Sequence, residues 1–396
     1  MIRALFLIMI PLLTGTASLP LPVASTYASL DPAASADFLV EHFGAETIDS
    51  NYTTSSPSSR CGDTMEAWVK LPTSNYEFHF ITTPKLANPD FSFQDFVDYV
   101  QPTFGNLSEV SASTYTQFMD FHVGMITDDM TPFYSSLKDN DVPFFMVGQY
   151  PAFFDLFVEI PGTATILEIT SQRLDIEDAP ISEWDICQMD TSTTIETDPQ
   201  PLSAMSKGSS EGTEWPTINW RKTTFAAPKP ALAELFSIKY LGANHIQQGH
   251  PGVWVRRCAK ISWVEFPYPD DAVLPAGINY QFHFVDGYKY PPHDPDMTIA
   301  TFADKVHEQR DFSNNNFDEF AHNRVTMWVG ELTSYLEGLE GNEFGVEWIL
   351  RTDGNGLFYA ILDSSLLTGN VIELVSDKKP ETSEQIKTWE EEFCKE

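Results

Sequence analysis

Apolar and polar positions follow one order along this chain, and that order recurs. An extended run over residues 21–30 leads into a helical pattern from Pro32 to Phe43, which Gly44 closes as a helix C-terminal glycine does. Met65 to Leu71 and Tyr76 to Thr82 then alternate apolar and polar letters with the period of two that predicts strands. The same grammar restarts with "MDFHVGMIT" (119–127) as a strand and "DDMTPFYSSLKDNDV" (128–142) as a helix. Three more strands follow in "FFMVG", "FFDLFVEIPG" and "ATILEITS". The unit is strand, helix, three strands, written twice in the first half of the chain.

The second half repeats the first. "NYEFHF" at 75–80 returns as "NYQFHF" at 279–284, with Glu77 exchanged for Gln281. "PAASADFLVEHFGAETI" (32–48) matches "PALAELFSIKYLGANHI" (230–246), and "WVKLP" at Trp68 matches "WVEFP" at Trp263. "FSFQDFVDYV" (91–100) corresponds to "MTIATFADKV" (297–306), and "ATILEITS" to "NVIELVSD". The matches keep their order, which is the mark of an internal duplication. Residues 190–216, rich in Ser, Thr, Gly and Pro, read as a flexible linker. The expected organisation is therefore a first domain over 19–189 and a second over 217–396.

Composition narrows the function classes. An apolar content of 42% with 29 Phe and 9 Trp supplies real cores over 396 residues, enough for two domains. A net charge of -34 repels phosphate backbones and anionic membrane surfaces, which argues against a nucleic-acid partner. Met1-Ile2-Arg3 followed by "ALFLIMIPLL" and small residues near Ala17 and Ser18 reads as a secretory signal peptide over 1–18, too short to span a bilayer. The expectation is a secreted or secretory-lumen protein with no membrane attachment after cleavage. The sequons at Asn51 and Asn106 fit glycosylation on that route. Cys61, Cys187, Cys258 and Cys394 are expected to pair as disulfides, Cys61 with Cys187 and Cys258 with Cys394, one pair per half; none has redox or zinc-finger spacing. "TDGNG" (352–356) reads as a hairpin turn, because no Lys or helix start follows to make it a phosphate loop.

The repeated unit resembles the βαβββ module of the vicinal oxygen chelate family, which includes glyoxalase I, extradiol dioxygenases, epimerases and the bleomycin- and fosfomycin-resistance proteins. "LDPAASADFLVEHFGA" (30–45) is similar to the family's opening helix, "HVGMITDDM" (122–130) to its second-module start, and "IPGTATILEI" (160–169) to its final strand. The resemblance implies an α+β fold: two tandem vicinal-oxygen-chelate-like domains, each of paired βαβββ modules forming a cupped mixed sheet around a metal.

The family draws its ligands from the first and last strands of each module. Carried over, these positions are Glu77, His122 and Glu168 in the first domain, with Ala24 where a fourth ligand belongs. His79 shares a strand face with Glu77 and is either a substitute ligand or a wall of the same cavity. In the second domain the counterparts are Gln281, Arg324 and Glu373; Arg324 cannot ligate a cation and would pair with Glu373. One imidazole and two carboxylates suit a divalent Zn, Ni, Co or Fe ion, so Glu77, His122 and Glu168, with His79 in reserve, form the implied metal set. Glu77 or Glu168 would double as the catalytic base.

The implied function is a secreted glyoxalase- or dioxygenase-like protein, with Lewis-acid lyase, isomerase or dioxygenase chemistry on a small oxygenated substrate in the first domain. The alternative is a non-catalytic small-molecule-binding module of the resistance-protein kind. Glutathione as co-substrate is disfavoured by a secretory location. Each candidate has a plainer reading: His122 as a hydrogen-bonded core histidine, Glu168 as a solvent-facing strand residue, His79 as a structural group, since His283 persists opposite it in the repeat.

Overall fold

The computed structural model describes residues 20–48, 66–71, 76–82, 122–149, 153–163, 165–176, 179, 181–183, 218–246, 261–266, 280–285, 323–353, 356–381 and 386–388. The segments expected to be a signal peptide (1–18) and a linker (190–216), the four cysteines, the sequons at Asn51 and Asn106, and the repeat over 91–100 and 297–306 lie outside the described residues.

Four βαβββ modules run along the chain. Module I comprises β1 (Leu21–Ala28), α1 (Pro32–Phe43), β2 (Glu46–Thr47), β3 (Glu66–Lys70) and β4 (Glu77–Ile81). Module II comprises β5 (His122–Thr127), α2 (Thr131–Asp139), β6 (Phe144–Gln149), β7 (Phe153–Glu159) and β8 (Ile166–Ser171), with β9 (Ile181–Glu183) appended. Module III comprises β10 (Ile218–Ala226), α3 (Pro230–Tyr240), β11 (Asn244–His245), β12 (Ile261–Phe266) and β13 (Tyr280–Val285). Module IV comprises β14 (Arg324–Trp328), α4 (Leu332–Leu339), β15 (Glu347–Thr352), β16 (Phe358–Asp363), the short α5 (Ser365–Thr368) and β17 (Val371–Ser376), followed by β18 (Lys387–Thr388). Among the described residues no helix is long and apolar enough to cross a membrane.

Local chemistry sets the helix ends. Asp31 caps α1 by accepting a hydrogen bond from the Ala34 amide at 3.1 Å, and Pro32 fills the first helical position, where no amide partner is needed. Gly44, at φ 65°, ends the helix in the left-handed conformation the sequence predicted. The strands on either side of "TDGNG", β15 and β16, pair antiparallel, with Thr352 level with Phe358.

The α+β class, the four modules and the two mixed sheets agree with the expectation; the choice of modules within each sheet does not. Sheet 1 has the order β18-β15-β16-β17-β14-β1-β4-β3-β2, and sheet 2 the order β11-β12-β13-β10-β5-β8-β7-β6-β9. Module I therefore shares a sheet with module IV, and module II with module III. The joints are antiparallel: β1 runs against β14, and β10 against β5. Within each module the first and last strands are parallel neighbours, β1 with β4, β5 with β8, β10 with β13 and β14 with β17.

Each half of the chain is nevertheless joined through its helices. Phe43 of α1 stacks on Phe133 of α2 at 5.5 Å, and His42 Nδ1 lies 2.9 Å from Ser136 Oγ. In the second half Phe236 of α3 meets Phe344 edge-on at 5.8 Å. The helix-side faces of the two sheets contribute Phe78, Val123, Leu167, Phe225, Phe282 and Ile372, among others, to one continuous core. Tyr76 and Tyr280, the tyrosines of the two repeated hexapeptides, stack on each other there at 6.2 Å. The opposite face of sheet 1 carries a separate apolar group around Ile81, Tyr359, Ile361 and Val375.

Two equivalent seams tie each module's first-strand end to its partner's last turn. The Leu30 amide donates to the Gly162 carbonyl at 2.8 Å, and the Lys229 amide to the Leu367 carbonyl at 3.3 Å. At the second seam Gly369 has φ +74°, and a Cβ there would lie 1.9 Å from the Ala226 carbonyl oxygen. Gly369→Ala is therefore expected to cost about 3 kcal/mol or more, from strain at positive φ added to a backbone clash. Urea denaturation of the full chain would read this as a lower midpoint.

Candidate functional site

The helix-distal faces of both sheets carry the polar residues that the strand pattern places inward. Side chains alternate along each strand, so once the odd residues of β5 and β8 enter the core, His122, Gly124, Ile166 and Glu168 must face the other way. In sheet 2 the register puts Glu168 of β8 level with Gly124 of β5, Gly124 level with Lys222 of β10, and Lys222 level with Gln281 of β13. His122 stands two residues before Gly124 on the same face and level with Thr224. These side chains meet. Lys222 Nζ donates to Glu168 Oε2 at 3.0 Å, and His122 Nε2 lies 3.1 Å from the same oxygen. The cluster is buried, with His122 at 0%, Glu168 at 1% and Lys222 at 6% exposure.

Burial acts to raise the Glu168 pKa, but the Lys222 ammonium and then the His122 hydrogen bond outweigh it and hold the carboxyl at about 2. Lys222 reaches Glu168 by crossing over β5 where that strand has no side chain: a Cβ on Gly124 would lie 2.6 Å from Lys222 Cε. Its Nζ also stands 5.6 Å from the Trp263 ring centre, within cation–π range.

Sheet 1 repeats the geometry with other residues. Glu77 of β4 is level with Ala24 of β1, Ala24 with Thr326 of β14, and Thr326 with Glu373 of β17. Arg324 occupies the place of His122 and donates through Nε to Glu373 Oε2 at 3.0 Å, the pairing expected from the sequence. Thr326 Oγ1 donates to Glu373 Oε1 at 2.8 Å. His79 is held apart from this set. Its Nε2 lies 2.8 Å from Glu66 Oε2, its Nδ1 3.2 Å from Thr26 Oγ1, and the Trp68 indole stacks on it at 3.8 Å. Sheet 2 keeps the same frame, with His283 stacked on Trp263 at 3.9 Å and Nδ1 3.5 Å from Thr224 Oγ1. The repeated His is thus a framework group in both copies.

The expected cluster of Glu77, His122 and Glu168 does not assemble. Glu77 and His79 lie on sheet 1, His122 and Glu168 on sheet 2, because module I pairs with module IV and not with module II. The alternative set of His79, His122 and Glu168 is divided in the same way. Among the described residues no three of His, Cys, Asp and Glu stand together as a metal-binding group. The sequence reading also passed over Lys222. Its signal was present: Lys222 precedes the helix boundary at Lys229 by the spacing that separates Ala24 from Asp31.

No family model matches the chain, and no curated protein matches it. Solved structures do. A variant of glyoxalase I from Zea mays superposes with a TM-score of 0.50 at 12% identity, covering 91% of this chain and 94% of that one. Glyoxalase I from Zea mays gives 0.49 at 11% identity, covering 91% and 93%. A putative dioxygenase from Bacillus subtilis gives 0.45 at 9% identity, covering 96% and 91%. The chain has the vicinal oxygen chelate fold.

The four stations that the first and last strands bring level or adjacent on this face are His122, Glu168, Lys222 and Gln281 in sheet 2, and Ala24, Glu77, Arg324 and Glu373 in sheet 1. Neither set fits a divalent ion. In sheet 2 an ammonium stands 3.0 Å from the carboxylate an ion would need, and an ammonium has donors but no lone pair to give. In sheet 1 the guanidinium of Arg324 takes one carboxylate and Ala24 offers no donor.

Because the Glu168 carboxyl sits at about 2 against an ordinary 4.5, its stabilisation is complete above about pH 5 and lost as pH falls toward 2. The stability difference between the wild type and Glu168→Gln should therefore shrink from pH 6 to pH 3. Paired denaturation curves at those two values would measure it.

Proposed function

We propose that this protein is a metal-independent, non-catalytic small-molecule-binding member of the vicinal oxygen chelate fold, akin to the resistance proteins its sequence resembles. The observation that carries the reading is the Lys222 ammonium paired with Glu168 at the centre of the sheet 2 stations. A tethered cation there neutralises the buried carboxylate permanently, so the site needs no ion to be stable. Beside the pair lie the half-buried Trp263 and Gln281, an aromatic ring and an amide of the kind that line small-molecule sites. The glyoxalase- or dioxygenase-like reading needs a Lewis-acid ion, and the donor sets described above do not provide for one.

The N-terminal apolar run supports work in the secretory lumen or outside the cell, and the net charge of -34 supports small molecules over nucleic acid as partners.

A panel of small oxygenated aromatics, catechol, benzoate and vanillin among them, is expected to raise the melting temperature of the purified chain without added metal. Chelator treatment should leave both the shift and the basal melting temperature unchanged. Loss of the shift after chelation, or turnover of a panel compound that depends on added metal, would overturn the reading.

A further inference from the structure

We infer that Lys222 occupies a latent divalent-metal site and is the one residue that keeps the sheet 2 stations from binding an ion. Three of the four stations already carry metal donors. His122 offers an imidazole and Glu168 a carboxylate, both turned to one point: His122 Nε2 and Lys222 Nζ lie 3.1 Å and 3.0 Å from the same oxygen, Glu168 Oε2. Gln281 stands level with Lys222 on the neighbouring parallel strand and carries an amide oxygen on that face. The Lys222 ammonium stands 3.0 Å from the Glu168 oxygen that His122 also contacts, and it carries the opposite charge to that carboxylate. It therefore satisfies the electrostatic demand of the buried Glu168 and excludes an ion by repulsion and by volume.

Two further features show that this arrangement is built into the strands. Gly124 clears the path of the Lys222 side chain, since any Cβ would press on Cε at 2.6 Å and on Cγ at 2.8 Å. The equivalent sheet 1 strands carry no such path: Thr326 stands at the Gly124 position, Ala24 at the Lys222 position, and the cation comes instead from Arg324 at the His122 position. Each set of stations holds one tethered cation paired with its β8- or β17-type glutamate, supplied from a different strand. Only in sheet 2 does removing that cation leave three donor residues, His122, Glu168 and Gln281.

The inference rests on the metal-independent reading above, and the test separates the two. Full-length wild type, Lys222→His, and Lys222→His combined with Glu168→Gln would be incubated with Zn2+ or Co2+, desalted, and analysed for bound metal. Circular dichroism and a cooperative melt would verify folding. Lys222→His is expected to retain stoichiometric metal, to gain thermal stability on metal addition, and to show the absorption bands of protein-bound Co2+. The added Glu168→Gln should abolish all three. Should Lys222→His not fold, Lys222→Ala, which leaves the three native donors, carries the same expectation of a Glu168-dependent thermal shift. Folded Lys222 variants that retain no more metal than wild type would overturn the inference alone. Wild type retaining stoichiometric metal after desalting would overturn both it and the metal-independent reading.

Discussion

The antiparallel joints β1–β14 and β5–β10 decide the architecture and, with it, the chemistry. A single βαβββ module leaves the outer edge of its first strand unpaired, and an open edge in an apolar setting must find a partner. Pairing first strand with first strand closes that edge and brings four strands, two first and two last, into adjacency. His122, Glu168 and Lys222 lie on these strands in sheet 2, and Glu77, Arg324 and Glu373 on their counterparts in sheet 1. Each joint unites the two halves of the duplicated chain, so each set of stations is composite: Glu77 shares its sheet with Arg324 and Glu373 of module IV, and Glu168 meets Lys222 of module III. The halves meanwhile keep their own helix contacts, Phe43 on Phe133 and Phe236 on Phe344.

This composite construction explains how the duplicated copies could diverge without unfolding. A buried glutamate at the last-strand station is costly unless a positive partner accompanies it. Sheet 2 meets the requirement with Lys222 from module III, and sheet 1 with Arg324 from module IV. Lys and Arg arrive from opposite sides of the joint, and each needs different space. Lys222 runs across a glycine, whereas the Arg324 guanidinium shares its glutamate with the hydroxyl of Thr326. The residues beside the joint, Gly124 and Thr326, are therefore as much a part of the site as the charged groups.

The repeated hexapeptide is accounted for in the same terms. Tyr76 and Tyr280 face the shared core and stack on each other, the phenylalanines line the two sheets' helix sides, and the histidines sit under Trp68 and Trp263. Position 77/281 lies on the face opposite those phenylalanines, level with Ala24 in sheet 1 and with Lys222 in sheet 2. Glu77 and Gln281 differ while the surrounding letters persist.

Periodicity and capping sufficed to read α1 from Pro32 to Gly44, the antiparallel strands on either side of 352–356, the order of strands in every module and the duplication itself, because these follow from contacts between near neighbours in the chain. Alternation on a strand is local, so it also showed that Glu77 shares a face with His79; that the face carrying Glu77, His122 and Glu168 is buried came from the tertiary structure. Which module joins which was not legible. The four first strands have similar patterns and no letter in them states a partner; that choice is made by hydrogen-bonded edges and a core assembled across hundreds of residues. For the same reason the sequence could nominate Glu168 as a buried charged group but could not show that Lys222, in the other half of the chain, stands 3.0 Å from it.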